Sequence, residues 1–407
     1  MDSTVIIASI VVFLAITFLL VGMLLGVKAR LMPSGPVKLF INGETDLEVS
    51  SGSTLLTTLG DNKIFLPSAC GGGGTCIQCK CIVKDGGGEI LPTEAPHFSR
   101  KEIAEGWRLG CQVKVKEDMV IEVPEEVLIA SVSGIRGTIG GEVKNNLTPV
   151  DVVAFAAAYG SWLTSTTNTA CTVVVGRDAR ISGPMVQQLV QQTLIGLGIN
   201  VIDVGLSTTP TVEMEVVRQH AQGGIILTAS HNPKQWNALK LLNSKGEFIS
   251  SDDGKALMQN LEAQSYDFAS VDHLGTIATV DDALLAHIDA ILALDLVDVD
   301  AIQRAQFSVV VDGVNSSGGV AVPMLLDKLG VKTTKIHCTP NGHFPHNPEP
   351  LKEHLTDLTT AVLDSDAHLG IAVDPDVDRL VFMDEKGMLF GEEYTLVTCA
   401  DYVLAHH

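Results

Sequence analysis

Four cysteines are spaced so that together they could bind a metal cluster. Cys70, Cys76 and Cys79 lie in PSACGGGGTCIQCKCIV, and Cys111 follows much later in RLGCQV, which gives the spacing C-x5-C-x2-C-x31-C. Three thiolates from one loop and one from a distant strand are what a two-iron two-sulfur cluster needs. Glycines 71–74 would let the loop pass close to the cluster, where backbone N–H groups tune its potential.

Zinc and disulfides are the alternatives for these cysteines. A structural zinc site normally takes two separated pairs of ligands, not three plus one around a run of glycines. Disulfides are unusual in a segment on the cytoplasmic side of a membrane. We expect Cys81 to be a small core residue and not a fifth ligand. The predicted ligands of a 2Fe-2S cluster are therefore Cys70, Cys76, Cys79 and Cys111.

A second group combines three carboxylates with a serine. Asp374, Asp376 and Asp378 alternate in DPDVDR, so we expect an extended chain that points three hard oxygen ligands at one place, as Mg²⁺ prefers. An EF-hand is the competing interpretation, but Arg379 stands where that loop needs glycine. Considered by itself, Ser230 in TASHNP would be interpreted as the cap of the following helix. Together with a metal loop and Arg379 for a phosphate contact, it predicts phosphoryl transfer through a phosphoserine.

Apolar strands alternate with helices over most of the chain and must position these groups. The predicted strands are 172–176, 200–205, 223–230, 307–313 and 369–376, with helices over 183–198, 209–220 and 319–330. This alternation indicates α/β domains with parallel-rich mixed sheets that are covered on both faces. Chemistry in such sheets lies at the carboxyl ends of strands, where Ser230 and the three aspartates fall.

The segment around the cysteines has a different pattern. VKLFING (37–43) and DLEVSSG (46–52) predict a β-hairpin, and residues 53–59 predict a short helix with Ser53 as its N-cap. We therefore expect a β-grasp-like α+β ferredoxin domain here.

Residues 5–27 carry no charge and predict an N-terminal transmembrane helix. A helix of this length spans about 35 Å, enough for a hydrocarbon core of roughly 30 Å. A cleaved signal peptide is the alternative, but the run is too long and no small-x-small site follows it. Lys28 and Arg30 after the span, against Asp2 before it, predict a single-pass inner (cytoplasmic) membrane protein with most of its chain in the cytoplasm.

The overall composition excludes two classes of protein. With 27 Lys and Arg against 48 Asp and Glu, the net charge of −21 argues against nucleic acid as a partner. A content of 46% hydrophobic and 18% charged residues excludes disorder over the whole chain.

The first part of the chain resembles the F subunit of the sodium-translocating NADH:quinone reductase. The resemblance rests on the single span and on CGGGGTCIQCKC, GGGEILPTE and RLGCQVKVKEDMVIEVPEE, and covers residues 1 to about 127. It implies a membrane anchor (1–30), a 2Fe-2S electron-transfer domain (36–125) and other subunits of such a reductase as partners. That family continues with a flavin- and NADH-binding domain, but no pattern after residue 127 indicates an FAD or NADH site, so we expect neither cofactor to bind.

The second part resembles the α-D-phosphohexomutases, particularly the phosphoglucosamine mutase/phosphomannomutase branch. SGIRG, GRDARISG, TASHNP and DPDVDR occur in this order over residues 128–407. The resemblance implies hexose phosphate substrates and three segments: domain 1 with the phosphoserine loop (128–272), domain 2 with the Mg²⁺ loop (273–383) and the start of a domain 3 (384–407). Pro375 and Val377 depart from it, since many relatives have glycine there.

The resemblance also assigns roles to individual residues. It implies that Ser230 is phosphorylated and that this group completes a Mg²⁺ site on Asp374, Asp376 and Asp378. Lys240 would be the acid/base group, with a solvated surface lysine as the alternative. The residues implied to line the phosphate site are Arg136, His231 and Arg379.

Two hypotheses for the whole chain remain open. One is a fusion of a membrane-anchored electron-transfer module with an incomplete Mg²⁺-dependent phosphohexomutase. The other is a chimera of two truncated genes with only cluster binding and partial serine phosphorylation. In either case we expect Ser230 to accept phosphate while interconversion of hexose 1- and 6-phosphates stays near background, because the family reads the sugar with its third and fourth domains.

Overall fold

A computed structural model describes most of the chain after the predicted membrane span. The described residues are 35–43, 45–62, 64, 66, 73–74, 77, 79–123, 128–131, 134–141, 143, 146–167, 170–264 and 266–406. The predicted span 5–27 lies outside them, and within them no helix has the length and apolar character to cross a membrane. The chain divides into two compact units, Met1–Glu125 and Glu126–His407.

The first unit is built on a five-stranded mixed sheet. Its strands are β1 (Pro36–Ile41), β2 (Thr45–Ser50), β3 (Lys80–Asp85), β4 (Trp107–Leu109) and β5 (Met119–Glu122), in the order β2-β1-β5-β3-β4. β1 and β2 form the predicted antiparallel hairpin, and β5 lies parallel to β1. Apolar side chains of these strands are buried with those of the helix Leu55–Asp61, and a second helix covers Arg100–Glu105. The sheet with its packed helix is the predicted α+β arrangement.

The N-cap of the first helix differs from the prediction. Thr54, not Ser53, is in the extended cap conformation, and its hydroxyl accepts a hydrogen bond from the N–H of Thr57. Serine and threonine both cap through a hydroxyl oxygen, so their types alone could not place the helix start.

The second unit contains two sheets, of which the larger has seven strands. They are β6 (Leu128–Ser131), β7 (Gly134–Thr138), β8 (Thr172–Arg177), β9 (Asn200–Leu206), β10 (Gly223–Leu227), β11 (Trp236–Leu242) and β12 (Ile277–Thr279), in the order β12-β9-β8-β10-β11-β7-β6. The first four strands in this order are parallel to one another, and the last three join by antiparallel pairing.

Helices cover both faces of this sheet, as the apolar strands predicted. The helices Pro149–Thr166, Gly183–Gly196 and Ser251–Ala263 contribute to the core on one face. Thr209–Arg218 and Ala283–Leu292 contribute to the core on the other. The strand ends between these layers are therefore held rigidly on both sides.

The smaller sheet of the second unit has five strands. They are β13 (Ser308–Asp312), β14 (Lys332–Ile336), β15 (Leu369–Val373), β16 (Leu380–Asp384) and β17 (Leu389–Phe390), in the order β14-β13-β15-β16-β17. The first three are parallel, and the last two join by antiparallel pairing. Further helices of the unit are Val299–Ala305, Gly318–Lys328, Thr356–Leu363 and Glu392–His406.

Candidate functional site

Ser230 lies in a tight turn after β10. The strand ends at Leu227, earlier than predicted, and Ser230 has a left-handed φ of 49°. Its N–H donates to the hydroxyl of Thr228 at 2.9 Å, and its side chain is buried. A non-glycine residue held at positive φ is typical of the backbone strain that is kept at functional sites.

Arg180 holds this turn from behind. Its fully buried guanidinium pairs with Asp178 at 3.0 Å and donates to the carbonyls of Ser230, Asn232, Pro233 and Trp236. Thr228 donates in turn to Asp178 at 2.7 Å. We infer that Arg180 fixes the turn, because these hydrogen bonds tie four of its carbonyls to one rigid group.

The three aspartates follow β15, and they lie in a turn. The strand ends at Val373, Val377 has φ of 62°, and the N–H groups of Asp378 and Arg379 both donate to Oδ1 of Asp374 at 3.1 Å. The prediction of an extended chain here was wrong. A hydrogen-bonded loop gathers carboxylates from neighbouring residues as effectively as strand alternation does, and the sequence could not distinguish the two.

The serine turn and the aspartate loop meet. Oγ of Ser230 donates to Oδ2 of Asp374 at 2.6 Å and lies 3.4 Å from Oδ1 of Asp378. Nδ1 of His231 lies 3.3 Å from the same hydroxyl. Residues 144 positions apart in the sequence therefore share one site, which lies at the carboxyl ends of β10 and β15.

The aspartate loop has the donor set and the unsatisfied charge of a Mg²⁺ site. Carboxylate oxygens of Asp374, Asp376 and Asp378 lie within 4.8 Å of one another. Within the described part of the chain, the buried Oδ1 of Asp376 has no hydrogen-bond partner. Burial and the two neighbouring carboxylates raise the pKa of Asp374 well above its ordinary value. Three oxygen ligands that repel each other, one of them unpartnered, fit a hard divalent cation.

Lys240 reaches the same carboxylates from β11. Its Nζ lies 2.7 Å from Oδ2 of Asp376 and 2.8 Å from Oδ2 of Asp378, and 13% of its side chain is exposed. The alternative of a solvated surface lysine does not describe this geometry. Burial lowers the pKa of Lys240, but the two carboxylates outweigh it and the net shift is upward. Lys240 is therefore an ammonium group in this arrangement.

The two predicted phosphate-site arginines occupy different positions. Nη1 of Arg136, from β7, donates to the side chain of Asn232 at 3.1 Å, so it lies at the serine turn. Nη1 of Arg379 pairs instead with Glu349 at 3.0 Å. Burial lowers the pKa of Arg136, with smaller contributions from neighbouring charges that include Arg379. The guanidinium of Arg136 is thus the one directed to the serine turn by its contacts.

Cys79 and Cys111 lie together in the first unit, whereas Cys70 and Cys76 lie outside the described residues. The N–H of Cys111 donates to Sγ of Cys79 at 3.4 Å, and both residues are buried. Backbone N–H donors to sulfur are the interactions that stabilise thiolates around a cluster. The structure thus brings together Cys79 and Cys111, two of the four predicted ligands, although 31 residues separate them in the sequence.

Cys81 is placed in the core, as expected. It is fully buried on β3, its thiol contacts the carbonyl of Arg108 at 3.9 Å, and burial raises its pKa to about 12. A thiol with this pKa stays protonated at neutral pH, and the ligand form of cysteine is the thiolate.

Several residues that organise the site have no counterpart among the sequence-based predictions. Thr209 donates its hydroxyl to Oδ2 of Asp376 at 2.5 Å, and its N–H donates to the carbonyl of the same residue. Ser316 and Ser317 both donate to the carbonyl of Pro375 at 2.7 Å. These hydroxyls lie at helix starts elsewhere in the chain, and residues there carry no sequence signal for a distant partner.

Comparisons with known proteins match the two units to two different families. Residues 39–116 match the 2Fe-2S iron-sulfur cluster binding domain. Residues 128–267 and 286–387 match α/β/α domains I and II of phosphoglucomutase/phosphomannomutase. The chain therefore combines a ferredoxin-type cluster domain with the first two domains of the phosphohexomutase family.

Individual proteins are similar to each of the two parts of the chain. The chain is 35% identical over 272 residues to a phosphoglucomutase/phosphomannomutase of Thermococcus kodakarensis, covering 67% of this chain and 58% of that protein. It is 59% identical over 115 residues to the F subunit of the Na(+)-translocating NADH-quinone reductase of Pseudomonas paraeruginosa, covering 28% of each chain. A solved family member from Burkholderia thailandensis superposes with a TM-score of 0.57 at 25% identity over 68% of this chain and 59% of its own. The predicted resemblance to the F subunit and to a phosphohexomutase is thereby confirmed.

Proposed function

We propose that the second unit transfers a phosphoryl group between hexose phosphates and Ser230 in a Mg²⁺-dependent reaction. The observation that carries this proposal is the 2.6 Å contact between Oγ of Ser230 and Asp374, inside a cluster of three carboxylates. The chain spans 58% of the length of its mutase relative. The proposal is therefore limited to phosphate transfer at Ser230 and to hexose phosphates as the class of substrate.

Each residue has a distinct part in this step. Asp374, Asp376 and Asp378 would hold Mg²⁺, which when bound supplies positive charge to the oxygens of the transferring phosphoryl group. Arg136, at the serine turn, is placed to bind an anion there. His231, 3.3 Å from the hydroxyl of Ser230, is placed to orient it.

Lys240 is the acid/base candidate of the site. Its ammonium group is held by Asp376 and Asp378, so its proton is shared with the carboxylates that would hold Mg²⁺. If those carboxylates held Mg²⁺, less of their negative charge would favour the ammonium form, and the pKa of Lys240 would be lower. Lys240 could then exchange a proton with a sugar hydroxyl or with Ser230.

The test is the phosphorylation state of Ser230. The full chain is incubated with a hexose 1,6-bisphosphate and Mg²⁺, and the peptide that contains Ser230 is analysed by mass spectrometry. We expect phosphate at Ser230, none in Ser230→Ala, and parent-like labelling in Ser244→Ala, which alters an exposed serine 14 positions on. Equal labelling with and without Mg²⁺, or phosphate only at other residues, would contradict the proposal.

We propose that the first unit binds a 2Fe-2S cluster on Cys70, Cys76, Cys79 and Cys111 and transfers electrons. The contact between Cys79 and Cys111 supports this, as does the match to a cluster binding domain. The uncharged segment 5–27 would anchor the protein in the cytoplasmic membrane, where other subunits of a sodium-translocating NADH:quinone reductase are candidate partners.

A chimera of two truncated genes remains the alternative to an integrated function. It predicts cluster binding and serine phosphorylation without any shared reaction. Long reads of the genomic locus across codons 120–135 show whether both parts lie in one continuous reading frame, and a break in the frame there would contradict a single fused protein.

A further inference from the structure

A second cluster of metal-binding side chains lies apart from the aspartate loop. Asp312 is the last residue of β13, and His337 directly follows the neighbouring parallel strand β14. His346 lies in the loop that follows. One ligand atom from each of these three residues lies within 4.8 Å of the other two.

Both ring nitrogens of His346 face hydrogen-bond acceptors. Its Nδ1 lies 2.8 Å from the carbonyl of Asn347, and its Nε2 lies 3.0 Å from Oδ2 of Asp312. Both contacts are with acceptors, whereas a neutral imidazole has a single N–H to donate. A proton or a metal ion must therefore occupy the second nitrogen, and a carbonyl on Nδ1 is the usual support of a histidine that binds metal through Nε2.

Hydrogen bonds also hold the side chains of His337 and Asp312 in place. Nε2 of His337 lies 3.1 Å from a carboxylate oxygen of Asp357. Oδ1 of Asp312 accepts the N–H of Val314 at 2.9 Å, which fixes the buried carboxylate. The side chains of His337 and His346 are 22% and 15% exposed, so an ion has access to the cluster from solvent.

We propose that Asp312, His337 and His346 form a Zn²⁺ site that is separate from the Mg²⁺ site. Two imidazoles and one carboxylate suit zinc, whereas Mg²⁺ prefers oxygen ligands alone. The ion would tie β13 and β14 to the loop 338–350. That loop carries Glu349, which pairs with Arg379 beside the aspartate loop, so zinc would connect this loop to the sheet that carries the aspartates.

Zinc content of the full, cluster-loaded chain tests this proposal. The protein is equilibrated with one equivalent of Zn²⁺ in excess Mg²⁺. Unbound metal is removed, and bound zinc is measured by inductively coupled plasma mass spectrometry. We expect about one zinc in the parent and a loss of most of it in the double variant His337→Gln/His346→Gln. The matched control is His343→Gln, which changes an exposed histidine of the same loop and should bind zinc like the parent.

Zinc-edge X-ray absorption of the parent gives a result that does not depend on any variant. We expect nitrogen and oxygen ligands with imidazole scattering and no sulfur, and the iron of the cluster does not interfere because its edge is separate. Zinc should also raise the Tm of the parent and of His343→Gln, by about 5 °C or more when it is present at 100 times its Kd. Absence of bound zinc, a sulfur ligand shell, or equal zinc in the parent and the double variant would overturn the proposal.

Discussion

Asp374 and Asp376 are both fully buried, yet their environments set their protonation in opposite directions. Burial, Asp376 and Asp378 raise the pKa of Asp374. Burial acts the same way on Asp376, but Lys240 and Thr209 outweigh it and hold the pKa of Asp376 below its ordinary value. The ionised form of Asp376 is thus already stabilised by Lys240, whereas the ionised form of Asp374 is the one that a divalent cation would stabilise.

Asp374→Asn should therefore change stability in opposite directions with and without Mg²⁺. The unfolded carboxyl has a pKa of about 3.9 and the folded one lies higher, so without metal the native state loses stability as pH rises between those values. At pH 7 in EDTA we expect the variant to melt at or above the Tm of the parent, and this gain should vanish near pH 4.

Added Mg²⁺ should reverse the order. A ligand at 100 times its Kd stabilises the parent by about 2.7 kcal/mol, and the variant lacks one of three ligands. Thermal unfolding in EDTA and in Mg²⁺ measures both effects. A variant that Mg²⁺ stabilises as much as the parent would show that Asp374 does not hold the ion.

Cys81 and Cys111 should differ as cluster ligands although both are buried. The pKa of about 12 keeps Cys81 a thiol, while Cys111 contacts Cys79 through its N–H. We expect Cys81→Ser to keep the visible absorption and the EPR signal of the reduced cluster, and Cys111→Ser and Cys76→Ser to lose both. Loss of the cluster in Cys81→Ser but not in Cys111→Ser would reverse the ligand assignment.

The serine turn is held by Arg180, a residue from another part of the chain. Four carbonyls of the turn and Asp178 share one buried guanidinium, whose forked geometry a lysine cannot reproduce. We expect Arg180→Lys to lower stability by about 3 kcal/mol or more and to reduce phosphate incorporation at Ser230.

Arg304→Lys is the matched control for that variant. Arg304 is an exposed residue of the helix Val299–Ala305, where a surface substitution changes stability by about 0.5 kcal/mol or less. Denaturant unfolding of both variants compares them, and equal stability losses would mean that Arg180 does not hold the turn.

The sequence predicted the positions of strands more reliably than the shape of the loops and the contacts between distant residues. Apolar runs such as TVVVG and GGIIL appear as buried strands, because continuous burial leaves a pattern that is local in sequence. The turn at 374–378 was predicted as extended chain, since alternating aspartates fit both forms. Thr209 was missed because its contact with Asp376 spans 167 positions, and no local pattern records such a pairing.

One chain joins two compact units that match two different families. Each unit has its own apolar cores; the contact between Cys79 and Cys111 lies within the first unit, and the contact between Ser230 and Asp374 lies within the second. The two proposed chemistries therefore need no shared residues.

The segment 5–27 is predicted to attach the full protein to a membrane. We expect the full protein to sediment with membranes through a high-salt wash, because its apolar length matches a bilayer core, and a variant without residues 1–34 to be released. Fractionation followed by immunoblotting measures this. A full chain that leaves the membrane in high salt would contradict the predicted anchor.

We propose that Ser230 carries an exchangeable phosphate, and this claim is tested by a single-turnover transfer from phosphoserine. The phosphorylated full chain is mixed with a hexose monophosphate and Mg²⁺, and phosphoserine 230 and hexose bisphosphate are measured together over time. We predict that phosphoserine disappears as an equal amount of hexose bisphosphate forms, and that EDTA stops both. Phosphoserine that persists, or that is lost to inorganic phosphate at the same rate in EDTA, would contradict the claim.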